Sequence, residues 1–239
     1  MTTKMRRFVV GAGGILSAMA FVGAGQATVL VPGAEAPPDV TAAPAATLLA
    51  TLSAPWTDST STMSGTMRSA VYSDPTNVFC AGCLDFMYQV TNNASSTDSI
   101  ARLSAIDFTG SRTDVGFLTN GSALSGLFFV NGTVAPQLVD RSSVGDVIGF
   151  TFDAPTLVEV PPGATSMVLF IETNAKTFKP GDVSLIDGGV TTVASFAPIA
   201  VVPEPAAWLL MVAGVGAVGA SLRSSRRGSG FSAARSRTS

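Results

Sequence analysis

Cys80-Ala81-Gly82-Cys83 is the most compact group of reactive side chains in the sequence. Two thiols at this spacing can close a small disulfide. With one thiol activated at a helix N-terminus they can instead run thiol–disulfide exchange. Strand-like apolar runs flank the motif and no βαβ pattern surrounds it, so a structural disulfide, Cys80 to Cys83, is the expectation; a redox pair and free thiols are the alternatives. Leu84 stands where a C-x-x-C-H haem attachment needs His. Carboxylates are the second reactive group. Asp107 with Asp114, or Asp140 with Asp146, could act as paired acids for glycoside hydrolysis, which needs two carboxyls about 5–9.5 Å apart across a cleft. Most stand beside Gly or Ser, where Asx-turns and strand ends account for them. Acidic loops could also ligate Ca²⁺, yet no EF-hand loop is present, and Asp182 and Asp187 flanking a strand form no recognised cage. No catalytic residue, metal ligand or cofactor is therefore assigned, and the chain reads as a non-enzyme. Trp56 and Tyr72 could stack on sugar rings or serve only in packing.

Composition narrows the chemistry further. The 239 residues include no His and two Cys. Without His there is no Ser-His-Asp or Cys-His catalysis, no His-ligated zinc and no His-ligated haem. Two Cys cannot complete a four-cysteine zinc or iron–sulfur site. The formal net charge of -2 offers no general nucleic-acid-binding signal.

The elements that would carry these residues read as strands. Short apolar runs at Thr66–Tyr72, Leu84–Thr91, Ile100–Phe108, Asp114–Leu118, Gly126–Val130, Val147–Phe152, Leu157–Val160, Met167–Glu172, Val183–Ile186 and Val190–Phe196 alternate with Gly, Pro, Asn and Asp breakers. This spacing predicts a mainly β domain over 48–200, an antiparallel β-sandwich of jelly-roll or Ig-like kind. The unbroken apolar run Met167–Ile171 fits a central strand buried on both faces. Asn131-Gly132 is the stronger hairpin signal, and both formal glycosylation sequons, at Asn93 and Asn131, read as turns. Residues 28–47, rich in Pro and Ala, read as a linker with at most one short strand.

Both ends are apolar. Lys4, Arg6 and Arg7 precede an apolar run from Phe8 to Val22 and then small residues, the order of a secretory signal peptide over 1–27. Ala206–Leu222 holds no charge over 17 residues, or roughly 26 Å as a helix, the low end for a membrane span. Trp208 stands near its entry, and Arg223, Arg226 and Arg227 follow, a basic flank that predicts a cytoplasmic exit. Gly214, Gly216 and Gly219 spell G-x-G-x-x-G inside this run, without the strand and downstream acid that a dinucleotide site needs. Close helix approach explains them better.

Pro203-Glu204-Pro205 stands directly before the apolar run. Over Val202–Arg227, the Pro-Glu-Pro, the apolar segment and the Arg cluster resemble the PEP-CTERM sorting signal of Gram-negative bacteria. The resemblance implies an exported protein, held in the inner membrane and processed by an exosortase near Pro203-Glu204-Pro205. It also implies a cell-surface or extracellular-matrix destination linked to exopolysaccharide and biofilm. Gly228–Ser239 extend beyond the Arg cluster, where the family signal normally ends, and read as a basic cytoplasmic tail. The expected function is a structural or binding role, with extracellular polysaccharide as partner; the alternative is a secreted hydrolase using two carboxylates. Partitioned this way, residues 28–202 carry 6 basic and 15 acidic residues, a net of -9. That charge favours solubility and cation contact, and disfavours direct adhesion to anionic polymers.

Overall fold

A computed structural model describes residues 28–153, 158–187 and 189–200. The signal-peptide region 1–27, the motif Pro203, Glu204 and Pro205, the apolar run 206–222 and the cluster Arg223, Arg226 and Arg227 lie outside the described residues. Among those described, no helix is long and apolar enough to cross a membrane.

The strands are β1 (Thr28–Val29), β2 (Glu35–Ala36), β3 (Asp39–Thr41), β4 (Thr47–Thr57), β5 (Ser64–Asp74), β6 (Cys83–Asn92) and β7 (Arg102–Ala105). They continue as β8 (Thr113–Leu118), β9 (Leu138–Arg141), β10 (Ile148–Thr151), β11 (Val168–Thr173), β12 (Phe178–Asp187) and β13 (Gly189–Pro198). One sheet runs β1-β8-β11-β6-β5-β4, with β3 also on β8; the other runs β13-β12-β7-β10-β9-β2. All pairings are antiparallel except β3 with β8. The protein is thus mainly β with two sheets, an arrangement consistent with a β-sandwich.

Period-2 alternation divides each central strand between two cores. On β6, Leu84, Phe86, Tyr88 and Val90 join the large cluster between the sheets, while Met87 belongs to a second cluster on the opposite face. Leu169 and Ile171 of β11 face the first cluster, Val168 and Phe170 the second. All six residues of β11 are buried, between β8 and β6, as its unbroken apolar run anticipates.

The second cluster explains one departure from expectation. Gly126–Val130 is not a strand; it belongs to an irregular segment that brings Leu124, Phe128 and Phe129 onto Ala70, Tyr72, Met87 and Phe170. An outward apolar row on β5, β6 and β11 needs a cover, and this segment provides it. Asn131-Gly132 makes no hairpin either. Asn131 Oδ1 accepts the Ser122 N–H at 3.1 Å, tying the segment to the 3₁₀ turn Gly121–Ala123.

Residues 28–47 also differ from the expected linker, because β1, β2 and β3 pair with β8, β9 and β8. Leu30 is buried in the main core, and Arg141 anchors the chain beside it. The buried Arg141 guanidinium donates to the carbonyls of Leu30, Phe108, Ser111 and Gly145 and to Thr113 Oγ1, over 2.7–3.1 Å. Two further strands were not anticipated, β4 and β9. The Leu- and Thr-rich β4 lies at a sheet edge, where Pro55 needs no ladder partner.

Candidate functional site

The acids singled out for hydrolysis have different surroundings. Asp114 lies on β8 and Asp140 on β9, in different sheets. Asp107 forms a 2.9 Å ion pair with Lys179, and Asp140 pairs with Arg102, whose Nη2 donates to Oδ2 at 2.9 Å. The structure instead brings Asp107 and Asp146 to one open pocket of about 240 Å³, with Thr109, Lys179 and Pro198–Ala200. Thr109 Oγ1 donates to Asp146 at 2.8 Å. Asp182 and Asp187 both belong to β12. Burial, then Asp98 by hydrogen bond and charge, with smaller effects from Glu159 and Asp153, lifts Asp187 to about 6.

Trp56 and Tyr72 are both buried, Trp56 in the core between the sheets and Tyr72 in the outer cluster. Tyr72 Oη donates to the Ser125 carbonyl at 3.0 Å. Neither ring offers a face on which a sugar could stack.

Cys80 and Cys83 are disulfide-bonded, with their Cα atoms 5.3 Å apart. The bridge closes the turn between β5 and β6, where the Cys83 N–H donates to the Cys80 carbonyl at 2.9 Å. Gly82 takes a φ of +70, a left-handed conformation that suits glycine. No helix begins at either Cys, so nothing in this turn supplies the dipole that activates a redox thiol.

At the root of that turn lies a group of residues the sequence reading did not single out. Cross-strand register aligns Tyr72 with Asp85, Asp85 with Glu172, and Glu172 with Asp114. The three acids form one row on β6, β11 and β8, on the sheet face that also carries the second apolar cluster. Asp74, the last residue of β5, completes the group. Asp74, Asp85 and Glu172 can each present an oxygen such that all three lie within 4.8 Å of one another, and all three residues are buried. Like charges directly opposite in a sheet are destabilising, so the row needs compensation.

The disulfide loop supplies part of it. Asn77 Nδ2 donates to Asp85 Oδ1 at 2.8 Å and to the Thr173 carbonyl at 3.2 Å. Asn77 Oδ1 accepts the N–H of Phe79 at 2.9 Å, which fixes the orientation of its amide. The Val78 N–H donates to Glu172 Oε2 at 3.4 Å, and Thr76 donates through N and Oγ1 to Asp74 Oδ1, both at 2.7 Å. These bonds leave two buried carboxylate oxygens without a hydrogen-bond donor, Asp85 Oδ2 and Asp114 Oδ1.

Electrostatics report the same crowding. Burial is the main cause lifting Asp85 to about 9; the Asn77 hydrogen bond opposes it, while the charges of Asp74 and Glu172 and a hydrogen-bonding contact with Asp74 add to it. Glu172 is pushed up to about 7 by burial, against the Val78 N–H and with the charges of Asp114 and Asp74. Asp114 rises to about 6, again chiefly through burial, with the Val115 N–H opposing and Asp39 reinforcing. No basic side chain contributes to any of these shifts. A clue to the group was present in the sequence: Asp85 interrupts the apolar run Leu84–Val90, and Glu172 follows Val168–Ile171. Attention to acids near turns passes over acids embedded in strands.

Comparison of the chain with models of known families, with curated proteins and with solved structures finds no match.

Proposed function

We propose that this chain is an exported cell-surface or extracellular-matrix protein, sorted and processed by an exosortase at the inner membrane through its C-terminal signal. The observation that carries this reading is the order of segments in the sequence: a signal peptide at one end, and Pro203-Glu204-Pro205, an apolar run and Arg223, Arg226 and Arg227 at the other. The last strand among the described residues ends at Pro198, five positions before Pro203 in the sequence. Two prolines remove backbone donors there and favour an extended chain that a protease can bind.

The role we assign is structural or binding, with extracellular polysaccharide as partner. Support for an Ig-like sandwich comes from strand order. Taking β5, β6, β7, β8, β11, β12 and β13 in chain order as seven strands, with β9 and β10 set aside, one sheet contains β5-β6-β11-β8 and the other β13-β12-β7. These are the A-B-E-D and G-F-C orders of the Ig constant type, with β9 and β10 added beside β7. A fold of this kind hosts many functions, so the reading rests on the sorting signal. Its acidic body meets an anionic polymer best through bridging cations.

Mass spectrometry of the mature protein from its native host tests the proposal. The expected product begins near residues 25–28 and has lost everything after about Pro205. A chain intact through Ser239 overturns exosortase processing. The second reading is a secreted hydrolase. It is favoured by Asp107 and Asp146 lining one pocket, and release of reducing ends from polysaccharide, abolished by Asp146→Asn, would establish it.

A further inference from the structure

From the acids at the root of the disulfide loop we infer a structural Ca²⁺ site, with Asp74, Asp85 and Glu172 as its carboxylate ligands. The inference is independent of export and of any polysaccharide partner. Three observations carry it. The ligand oxygens lie within 4.8 Å of one another, and two oxygens on opposite sides of a Ca²⁺ at about 2.4 Å are separated by about that distance. Asp85, with 0% of its surface exposed, has one oxygen held by Asn77 and the other, Oδ2, without a hydrogen-bond donor. Asp114, directly opposite Glu172 and outside the set of three, has a second orphaned buried oxygen.

A buried polar atom without a partner is costly, and a buried charge more so. Two orphans beside one row of like charges point to a missing positive charge. Among the described residues the two ion pairs, Arg102 with Asp140 and Lys179 with Asp107, lie elsewhere. All donors at the site are oxygens, which selects a hard cation. Mg²⁺ gives up its waters reluctantly and suits an enclosed carboxylate group poorly, whereas Ca²⁺ accepts irregular oxygen cages. The hydrogen-bonded turn Thr76–Val78 holds all three carboxylates in place around the ion. In this arrangement the cation ties β5, β6 and β11 together beneath the disulfide. The competing occupant is a proton shared between Asp74 and Asp85.

The test uses the full chain with its disulfide formed, unfolded in EDTA and refolded with EDTA, CaCl₂ or MgCl₂. The expected result is one Ca²⁺ retained per chain by elemental analysis. Tm should rise by about 5–10 °C with Ca²⁺ at roughly 100-fold above its Kd, and by less in Mg²⁺. Asp85→Asn and Glu172→Gln should lose the response, and Asp107→Asn should keep it. Equal Tm in EDTA and CaCl₂ with no retained metal overturns the inference in favour of the shared proton. Retained Ca²⁺ in both Asp85→Asn and Glu172→Gln overturns it in favour of another acidic group. Should those variants fail to fold, Tb³⁺ luminescence of the native sequence decides. Tyr72 is the cross-strand neighbour of Asp85, so tyrosine-sensitised emission should be displaced by Ca²⁺ and mostly lost in Tyr72→Phe. Emission unchanged in Tyr72→Phe places the ion elsewhere and overturns the site.

Discussion

Asn77 Nδ2 donates to Asp85 Oδ1 at 2.8 Å, joining the disulfide-closed turn to the middle of the sheet. One amide in this way orders the loop through Oδ1 and holds a buried acid through Nδ2. Asn77→Ala removes both functions. Its expected cost is about 1–3 kcal/mol, the range for leaving a buried polar group unsatisfied, measured as a lowered urea midpoint with unchanged slope. A loss below experimental error would mean that the turn is held without Asn77.

The Cys80–Cys83 bridge closes a loop so short that it restricts the unfolded chain little. Chain entropy assigns it about 2 kcal/mol. A Cys80→Ser/Cys83→Ser double variant should therefore fold, with a urea midpoint lowered accordingly. Complete loss of folding would show that the bridge, rather than Asn77, organises the turn.

The outer apolar cluster should be as sensitive to truncation as the core between the sheets. Phe129→Ala removes a buried ring in edge-to-face contact with Phe128, centroids 5.2 Å apart, and should cost about 3–5 kcal/mol. Leu127, two residues earlier and 80% exposed, should tolerate Ala within about 0.5 kcal/mol. Chemical denaturation of both variants separates a packed cover from a loosely attached loop. Similar small losses for both would show the latter.

Asp58 sets an acid limb. Hydrogen bonds from Thr60, Met63 and Thr62 outweigh desolvation and hold its carboxyl down at about 2. Because the folded state favours the ionised form, this stabilisation is fully present above the ordinary value near 4 and is lost as pH falls toward 2. Asp58→Asn should accordingly be less stable at neutral pH, and its stability should change less between pH 4 and 2. Parallel pH profiles for the two proteins would refute this assignment.

Arg102 reaches Asp140 across Gly149, which stands directly opposite Asp140 on the neighbouring strand. A Cβ on Gly149 would collide with the guanidinium. Gly149→Val should break the Arg102–Asp140 pair and destabilise by more than Asp140→Asn, which removes only a partly exposed ion pair of about 0–1 kcal/mol. Equal losses in denaturant unfolding would show that the guanidinium moves aside freely.

Much of the β architecture is legible in residue pattern. Leu84–Thr91 and Met167–Glu172 carry the alternation and apolar density of β6 and β11, and Asp187 pairs with Gly189 where β12 gives way to β13. Short-range patterns misled where partners decide the outcome. Gly126–Val130 has the composition of a strand, but its apolar residues answer to Tyr72, Met87 and Phe170 on a sheet face that periodicity does not reveal. Residues 28–47 have the composition of a linker, yet the open edges of β8 and β9 and the guanidinium of Arg141 give that backbone its partners.

The amino-acid sequence by itself determined local quantities: strand content, turn positions, the absence of His and an acidic middle between basic ends. Each depends on residue type and spacing along the chain. The grouping of Asp74, Asp85 and Glu172, the burial of Trp56 and Tyr72, and the meeting of Asp107 with Asp146 at one pocket were decided only by tertiary structure. The reason is register. Which residue of β6 meets which residue of β11 depends on the whole hydrogen-bonded ladder, and a slip of one position would turn Asp85 to the opposite face.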